Sequence, residues 1–139
     1  MSNQVRILIV DDEPGIQQAF VRVLSSARCR AEAVGNGQAA LQRMQQQEFD
    51  DVLLDLRMPG MDGMTVLRTI KKNWPDSEVI IVTGYAALET AKESVALGAF
   101  DYLAKPVGPD EVINATNGAL LHKGWALRRD PRVGCNSML

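Results

Sequence analysis

Cysteine is scarce in this chain: 139 residues hold only Cys29 and Cys135. Two thiols make no disulfide framework, so a reduced, cytoplasmic setting is the simple expectation. No apolar run approaches the roughly 20 residues needed to span a bilayer. The start, Met-Ser-Asn-Gln, runs straight into a strand pattern, without the basic region, apolar stretch and cleavage site of a signal peptide. Basic charge is also missing where nucleic-acid binding would need it. Residues 1–121 hold 11 Lys/Arg against 16 Asp/Glu, so the body carries no electrostatic footprint for nucleic acid. Only the last stretch is basic, with Lys123, Arg128, Arg129 and Arg132 against Asp130. Such a tail reads as a solvated linker before it reads as a binding element.

What is present is alternation. Val5–Val10 is an apolar run ending at Asp11-Asp12-Glu13. Pro14 suits a first helical turn and Glu13 suits its positive end. Ile16, Ala19, Phe20, Val23, Leu24 and Ala27 then recur at helical spacing. Arg30 to Val34 forms a second strand, and Asn36 in Gly35-Asn36-Gly37 is placed to cap a helix carrying Ala40, Leu41 and Met44. Val52 to Asp55 is a third strand, followed by a loop and a helix with Met64, Leu67, Thr69 and Ile70 that stops before Pro75. Glu78–Thr83 is the fourth strand. Leu88, Ala91, Val95 and Ala96 mark a fourth helix with Gly98 just beyond it. Ala99 to Ala104 is the fifth strand, and Gly108-Pro109-Asp110-Glu111 opens a helix bearing Val112, Ile113, Thr116, Ala119 and Leu120. Five strands alternating with five helices imply an α/β fold: a doubly wound parallel sheet covered on both faces. The expected division is one domain over residues 1–122, then a helix extension, linker or disordered tail over 123–139.

In such a sheet ligands sit at the strands' carboxyl ends, where the strand order reverses. For the flavodoxin-like order 2-1-3-4-5, strands 1 and 3 flank that point. Strand 1 ends in Asp11-Asp12 and strand 3 in Asp55, so three carboxylates converge. Their mutual repulsion calls for protonation or a cation. Oxygen ligands alone, and few of them, suit Mg²⁺ better than Ca²⁺. Strand 4 adds the Thr83 hydroxyl and strand 5 the Lys105 ammonium. Taken singly, Asp55 could merely cap the next loop and Lys105 merely pair with one acid. Together the five residues suit phosphoryl transfer to a carboxylate nucleophile, for which the central Asp55 is the candidate.

Val10-Asp11-Asp12-Glu13, Leu54-Asp55-Leu56-Arg57-Met58-Pro59-Gly60-Met61-Asp62-Gly63, Val82-Thr83-Gly84 and Phe100-Asp101-Tyr102-Leu103-Ala104-Lys105-Pro106 together resemble the receiver domain of two-component response regulators. The resemblance runs over about residues 5–121 and is strongest to receivers of the nitrogen-regulation type, which usually precede an ATPase and a DNA-binding domain. It implies that Asp55 accepts phosphate from a sensor histidine kinase or phosphotransfer protein. It implies Mg²⁺, with Mn²⁺ as a substitute, on Asp12, Asp55 and the backbone carbonyl of Arg57, with Asp11 acting through water. Thr83 and Lys105 would contact the phosphoryl group, and Tyr102 would rotate after Thr83. The surface of the fourth helix, fifth strand and fifth helix would then engage an output domain, a protein partner or a second copy. A cis Lys105-Pro106 peptide is implied as well. The resemblance makes this a signalling switch with no independent substrate turnover, no direct nucleic-acid contact and no membrane association.

Other signals compete with that reading. Gly35-Asn36-Gly37-Gln38-Ala39-Ala40 matches a dinucleotide fingerprint in outline, but it follows the second strand where the fingerprint belongs after the first. A turn plus an N-cap explains it more simply. An aspartate-nucleophile phosphatase would carry a second acid two residues after the nucleophile, where this chain has Arg57. Arg57 and Tyr85, each two residues past a site residue, are expected to flank the path of attacking water. His122, the one histidine, is expected to be a solvated helix-end residue. Trp74 reads as a helix-end packing residue and Trp125 as tail.

Overall fold

The structure is a computed structural model that describes residues 4–84 and 87–123. Tyr85, Trp125, Cys135 and all but the first residue of the 123–139 tail therefore lie outside the described residues. The elements run β1 (Val5–Val10), α1 (Pro14–Leu24), β2 (Cys29–Val34), α2 (Gly37–Gln46), β3 (Asp51–Leu54), α3 (Gly63–Asn73), β4 (Glu78–Thr83), α4 (Leu88–Ala96), β5 (Asp101–Ala104) and α5 (Pro109–His122). The strands form one sheet in the order β2-β1-β3-β4-β5, and every pair is parallel. Among the described residues, no helix is long and apolar enough to cross a membrane.

Period-2 side-chain alternation sorts the central strands' residues onto two faces. One face presents Ile7, Ile9, Leu53, Ile80 and Val82 to Phe20 and Leu24 of α1 and to Val112, Ala115, Ala119 and Leu120 of α5. The other presents Leu8, Val10, Val52, Leu54, Val79 and Ile81 to Ala40 and Met44 of α2 and Val66, Leu67 and Ile70 of α3. The strands read as unbroken apolar runs because both faces are covered.

Local signals act as expected at several ends. Asn36 Oδ1 accepts the Ala39 N–H at 2.8 Å, closing the first turn of α2. Trp74 caps the end of α3, its N–H on the Ile70 carbonyl at 2.7 Å, and packs on the adjoining core. Gly98, at φ 106°, follows α4, and the Lys105-Pro106 peptide is cis.

Four expectations need correction. The second and third strands begin one residue earlier than their apolar runs suggest, at Cys29 and Asp51, and β3 ends at Leu54, so Asp55 follows the strand instead of closing it. The fifth strand spans only Asp101–Ala104, because Ala99 still donates to the Ser94 carbonyl at the end of α4. In the first helical stripe Ala19 faces out, and Ala27 lies beyond the helix. The fourth stripe faces water: Leu88 is 72% exposed and Val95 57%, while the buried residue of α4 is Ser94. Ser94 can be buried because its Oγ donates to the Ala91 carbonyl of its own helix at 2.9 Å.

The outline of a dinucleotide fingerprint has a packing explanation. Gly37, the first residue of α2, lies so close to Val66 and Met61 that a Cβ would collide with the Val66 side chain. The glycine lets α2 approach α3, and Asn36 is an N-cap.

Candidate functional site

Adjacent β1 and β3 end side by side, which brings the three acids together. The Asp11 N–H bonds to the Val34 carbonyl of β2 at 3.1 Å, and the Asp55 N–H bonds to the Val10 carbonyl of β1 at 3.0 Å. Asp11, Asp12 and Asp55 each offer a carboxylate oxygen within 4.8 Å of the others. Asp11 and Asp55 are buried and Asp12 is exposed.

From β5, Lys105 reaches across the end of the sheet. Its Nζ donates to Asp11 Oδ2 at 2.7 Å and to Asp55 Oδ2 at 3.1 Å. Burial alone would lower the Lys105 ammonium, but hydrogen bonds to Asp11 and Asp55, and the charges of both, more than offset it and raise the group above its ordinary value. The backbone N–H of Lys105 bonds to the Thr83 carbonyl at 2.9 Å, tying the ends of β4 and β5 together. Thr83 is wholly buried at the end of β4. Tyr102 pairs in register with Ile81, two residues before Thr83, so Tyr102 and Thr83 share the sheet face that carries α3.

Both modest roles weighed for Asp55 and Lys105 are present in enlarged form. Asp55 Oδ1 accepts the Arg57 N–H at 3.1 Å, so the carboxylate does hold the following loop. Lys105 pairs with two acids where one would have been ordinary. The loop is also fixed from below: a Cβ on Gly63 would lie 2.5 Å from the Leu56 Cα, so only glycine lets α3 start against the residue that follows Asp55.

A cavity of about 350 Å³, lined by Glu13, Asp55, Arg57, Gly84 and Lys105, opens over the site. It gives Asp55 access to an outside group while Lys105 waits at the wall. Two contributors escaped sequence reasoning. Glu13 lines this cavity and its N–H donates to Asp11 Oδ1 at 2.9 Å. Gln17 Nε2 donates to the Asp11 carbonyl at 2.6 Å. Glu13 was legible only as a helix-end charge, and Gln17 stands one helical turn past it, a spacing that helix geometry could have flagged. His122 is a partial correction: its side chain is 64% exposed, yet Nδ1 lies 2.8 Å from Glu78 Oε2 and the ring packs 5.3 Å from Phe100. It lies at the far end of the sheet from Asp55.

Fold and site together define a doubly wound α/β module with an acid trio and a lysine at the topological switch point. Residues 7–117 match the family model of the response regulator receiver domain, and the chain belongs to that family. It is 36% identical over 116 residues to the DNA-binding transcriptional regulator NtrC of Escherichia coli K12, covering 84% of this chain and 25% of that protein. It is 38% identical over 119 residues to the transcriptional regulatory protein ZraR of Klebsiella oxytoca, covering 86% and 27%. The chain thus spans about a quarter of the length of these relatives. In structure it resembles the CheY-like response regulator receiver domain protein of Methanospirillum hungatei JF-1, with a TM-score of 0.83 at 30% identity, covering 87% of this chain and 97% of that one. It also resembles the chemotaxis protein CheY4 of Vibrio cholerae, with a TM-score of 0.79 at 26% identity, covering 84% and 99%. Over residues 7–117 the chain is a receiver domain of the two-component response-regulator type.

Proposed function

We propose that Asp55 is the phosphoacceptor. An Asp55 carboxylate oxygen attacks a phosphohistidine of a sensor kinase or phosphotransfer protein; the P–N bond breaks as the O–P bond forms. The observation that carries this reading is the Lys105 ammonium held between Asp11 and Asp55 beside an open cavity. Lys105 can move its hydrogen bond from Asp55 to a phosphoryl oxygen without leaving Asp11, so positive charge stays where negative charge develops.

The acid trio fits a divalent ion, since three close carboxylates with one exposed member form an oxygen-only donor set. Asp12, Asp55 and the Arg57 carbonyl would hold Mg²⁺, or Mn²⁺ in its place, and Asp11 would act through water. When bound, the ion neutralises charge on the transferring group. Thr83 would donate to the phosphoryl group. Tyr102, on the same face, would turn into the space Thr83 leaves, altering the α4–β5–α5 surface. The exposed Leu88 and Val95 lie on that surface and give an output domain, a protein partner or a second copy an apolar foothold.

The domain would assist its own phosphorylation and dephosphorylation, with Arg57 at the cavity wall screening Asp55 from water. The receiver would occupy residues 1–122, with 123–139 a helix extension, linker or disordered tail, and would work in the cytoplasm. Similarity to NtrC and ZraR supports an output in transcription control. The test is Asp55→Asn, which should keep the fold and abolish labelling by acetyl phosphate or a kinase; undiminished labelling would place the acceptor elsewhere.

A further inference from the structure

A second group of titratable residues lies at the opposite end of β3. Asp51, its first residue, is 0% exposed, and neither carboxylate oxygen has a hydrogen-bond partner among the described residues. Asp51 stands in register with Ile7 of β1 on one side and Glu78 of β4 on the other. By strand alternation it shares the sheet face of Leu53, the face that α1 and α5 cover.

The carboxyl end of α5 is tied down over this place by two polar contacts. His122 Nδ1 meets Glu78 Oε2 at 2.8 Å, and Lys123 Nζ donates to Asp50 Oδ1 at 2.9 Å. The second oxygen of Asp50 accepts the Arg6 N–H at 2.9 Å. Asp50, Asp51 and Glu78 therefore form an acidic row at the amino ends of β3 and β4, closed by one lysine and one histidine. From β2 the facing titratable group is the buried Cys29. From α1 the core of this face receives Phe20 and Leu24, and from β1 Val5 and Ile7, none of which titrates.

Burial, reinforced by the charges of Asp50 and Glu78 and eased by Lys123, pushes the Asp51 carboxyl well above the usual carboxylate range. With Asp51 neutral, Lys123 and His122 face two acids. Ionised, Asp51 would add a third, with no donor of its own to receive the charge.

We propose that Asp51 is the proton-sensitive pin of a latch that holds the carboxyl end of α5 against the amino ends of β3 and β4. The neutral acid keeps the latch shut. Loss of its proton requires water to reach it, and the way in is to lift the His122 and Lys123 end of α5. The latch therefore sets how firmly the last turn of α5 is held against the sheet. The proposal does not rest on the phosphoryl reading, since Asp51 opens β3 and Asp55 lies just past its other end.

The sign comes from linkage. An acid raised in the closed state binds its proton more tightly there than in the open state. Closure is therefore favoured at low pH and weakens as pH rises from the ordinary aspartate value, about 3.9, to the raised one. Hydrogen exchange of the full chain, corrected for the intrinsic pH dependence of exchange, reads this directly. Protection of the last turn of α5 should fall by about tenfold per pH unit across that window and level off above it. Asp51→Asn should flatten the dependence, and Asp110→Asn, at the exposed other end of α5, should leave it. If Asp51→Asn fails to fold, Asp51→Val serves the same purpose. The proposal is overturned if the slope persists without Asp51, if it disappears with Asp110→Asn, or if amides of β1 and α3 share it equally, which would make the effect global. A carboxyl-carbon titration by NMR that placed Asp51 at an ordinary aspartate value would overturn it as well.

Discussion

Lys105 is the residue on which the site's electrostatics turn. It offsets two buried carboxylates at once, and removing it leaves Asp11 and Asp55 facing each other uncompensated. Without added metal, Lys105→Met should therefore cost about 1–3 kcal/mol in denaturant unfolding, less than for a fully buried pair because the cavity admits water. Mg²⁺ should bind at least as tightly and recover much of the loss, while phosphorylation no longer changes output. An output response equal to wild type would count against its role. The raised Lys105 gives the pH sign: its contribution is fully present below about pH 10.4 and is lost as pH rises through the higher folded value. The strand-end residues Asp11, Asp12, Asp55, Thr83 and Lys105 were legible because strand ends in a parallel sheet converge whatever the details of packing. Gln17 and Glu13 were not, since their contacts depend on how α1 leaves β1. Asp51 was illegible for another reason: an acid beside an apolar run reads as a strand boundary, and only the register of β3 against β1 and β4 puts it inside.

Elements obeyed their local signals best where those signals are chemical. Asn36 caps α2 as its side chain predicts, so Asn36→Ala should lower stability by about 0.5–2 kcal/mol in thermal or denaturant unfolding. Apolar periodicity was a weaker guide. It found the buried faces of α2, α3 and α5, where the stripe meets the sheet, but reversed α4. That helix is nine residues long and buries Ser94, while Leu88 and Val95 point to solvent. A stripe of apolar residues marks an interface without saying whether the other side is this chain's core or another surface. The double substitution Leu88→Asp, Val95→Lys should thus leave stability within about 0.5 kcal/mol. It should weaken pull-down of the phosphorylated form's partner, or dimerisation seen by light scattering. A large fall in stability would mean that the face is core.

For the molecule as a whole, charge and topology divide the labour. The sheet gathers an acid trio at its carboxyl end, where an incoming phosphoryl group can be received, and a second acidic row at its amino end, where α5 is tied down. Fold class and strand order were fully legible, because five alternating strand and helix patterns leave few right-handed ways to build a parallel sheet. The output that the receiver controls was not legible, since the chain spans about a quarter of NtrC or ZraR. In the proposed function Asp55, just past β3, accepts phosphate with help from a divalent ion. The most direct measurement is peptide mapping by mass spectrometry after incubation with a phosphohistidine donor, with and without Mg²⁺. One phosphoryl group should appear on the peptide containing Asp55, only with Mg²⁺ present, and borohydride should release it as phosphate while reducing the side chain at that residue to that of homoserine. A phosphoryl group on another residue, or equal labelling in the presence of a chelator, would contradict it.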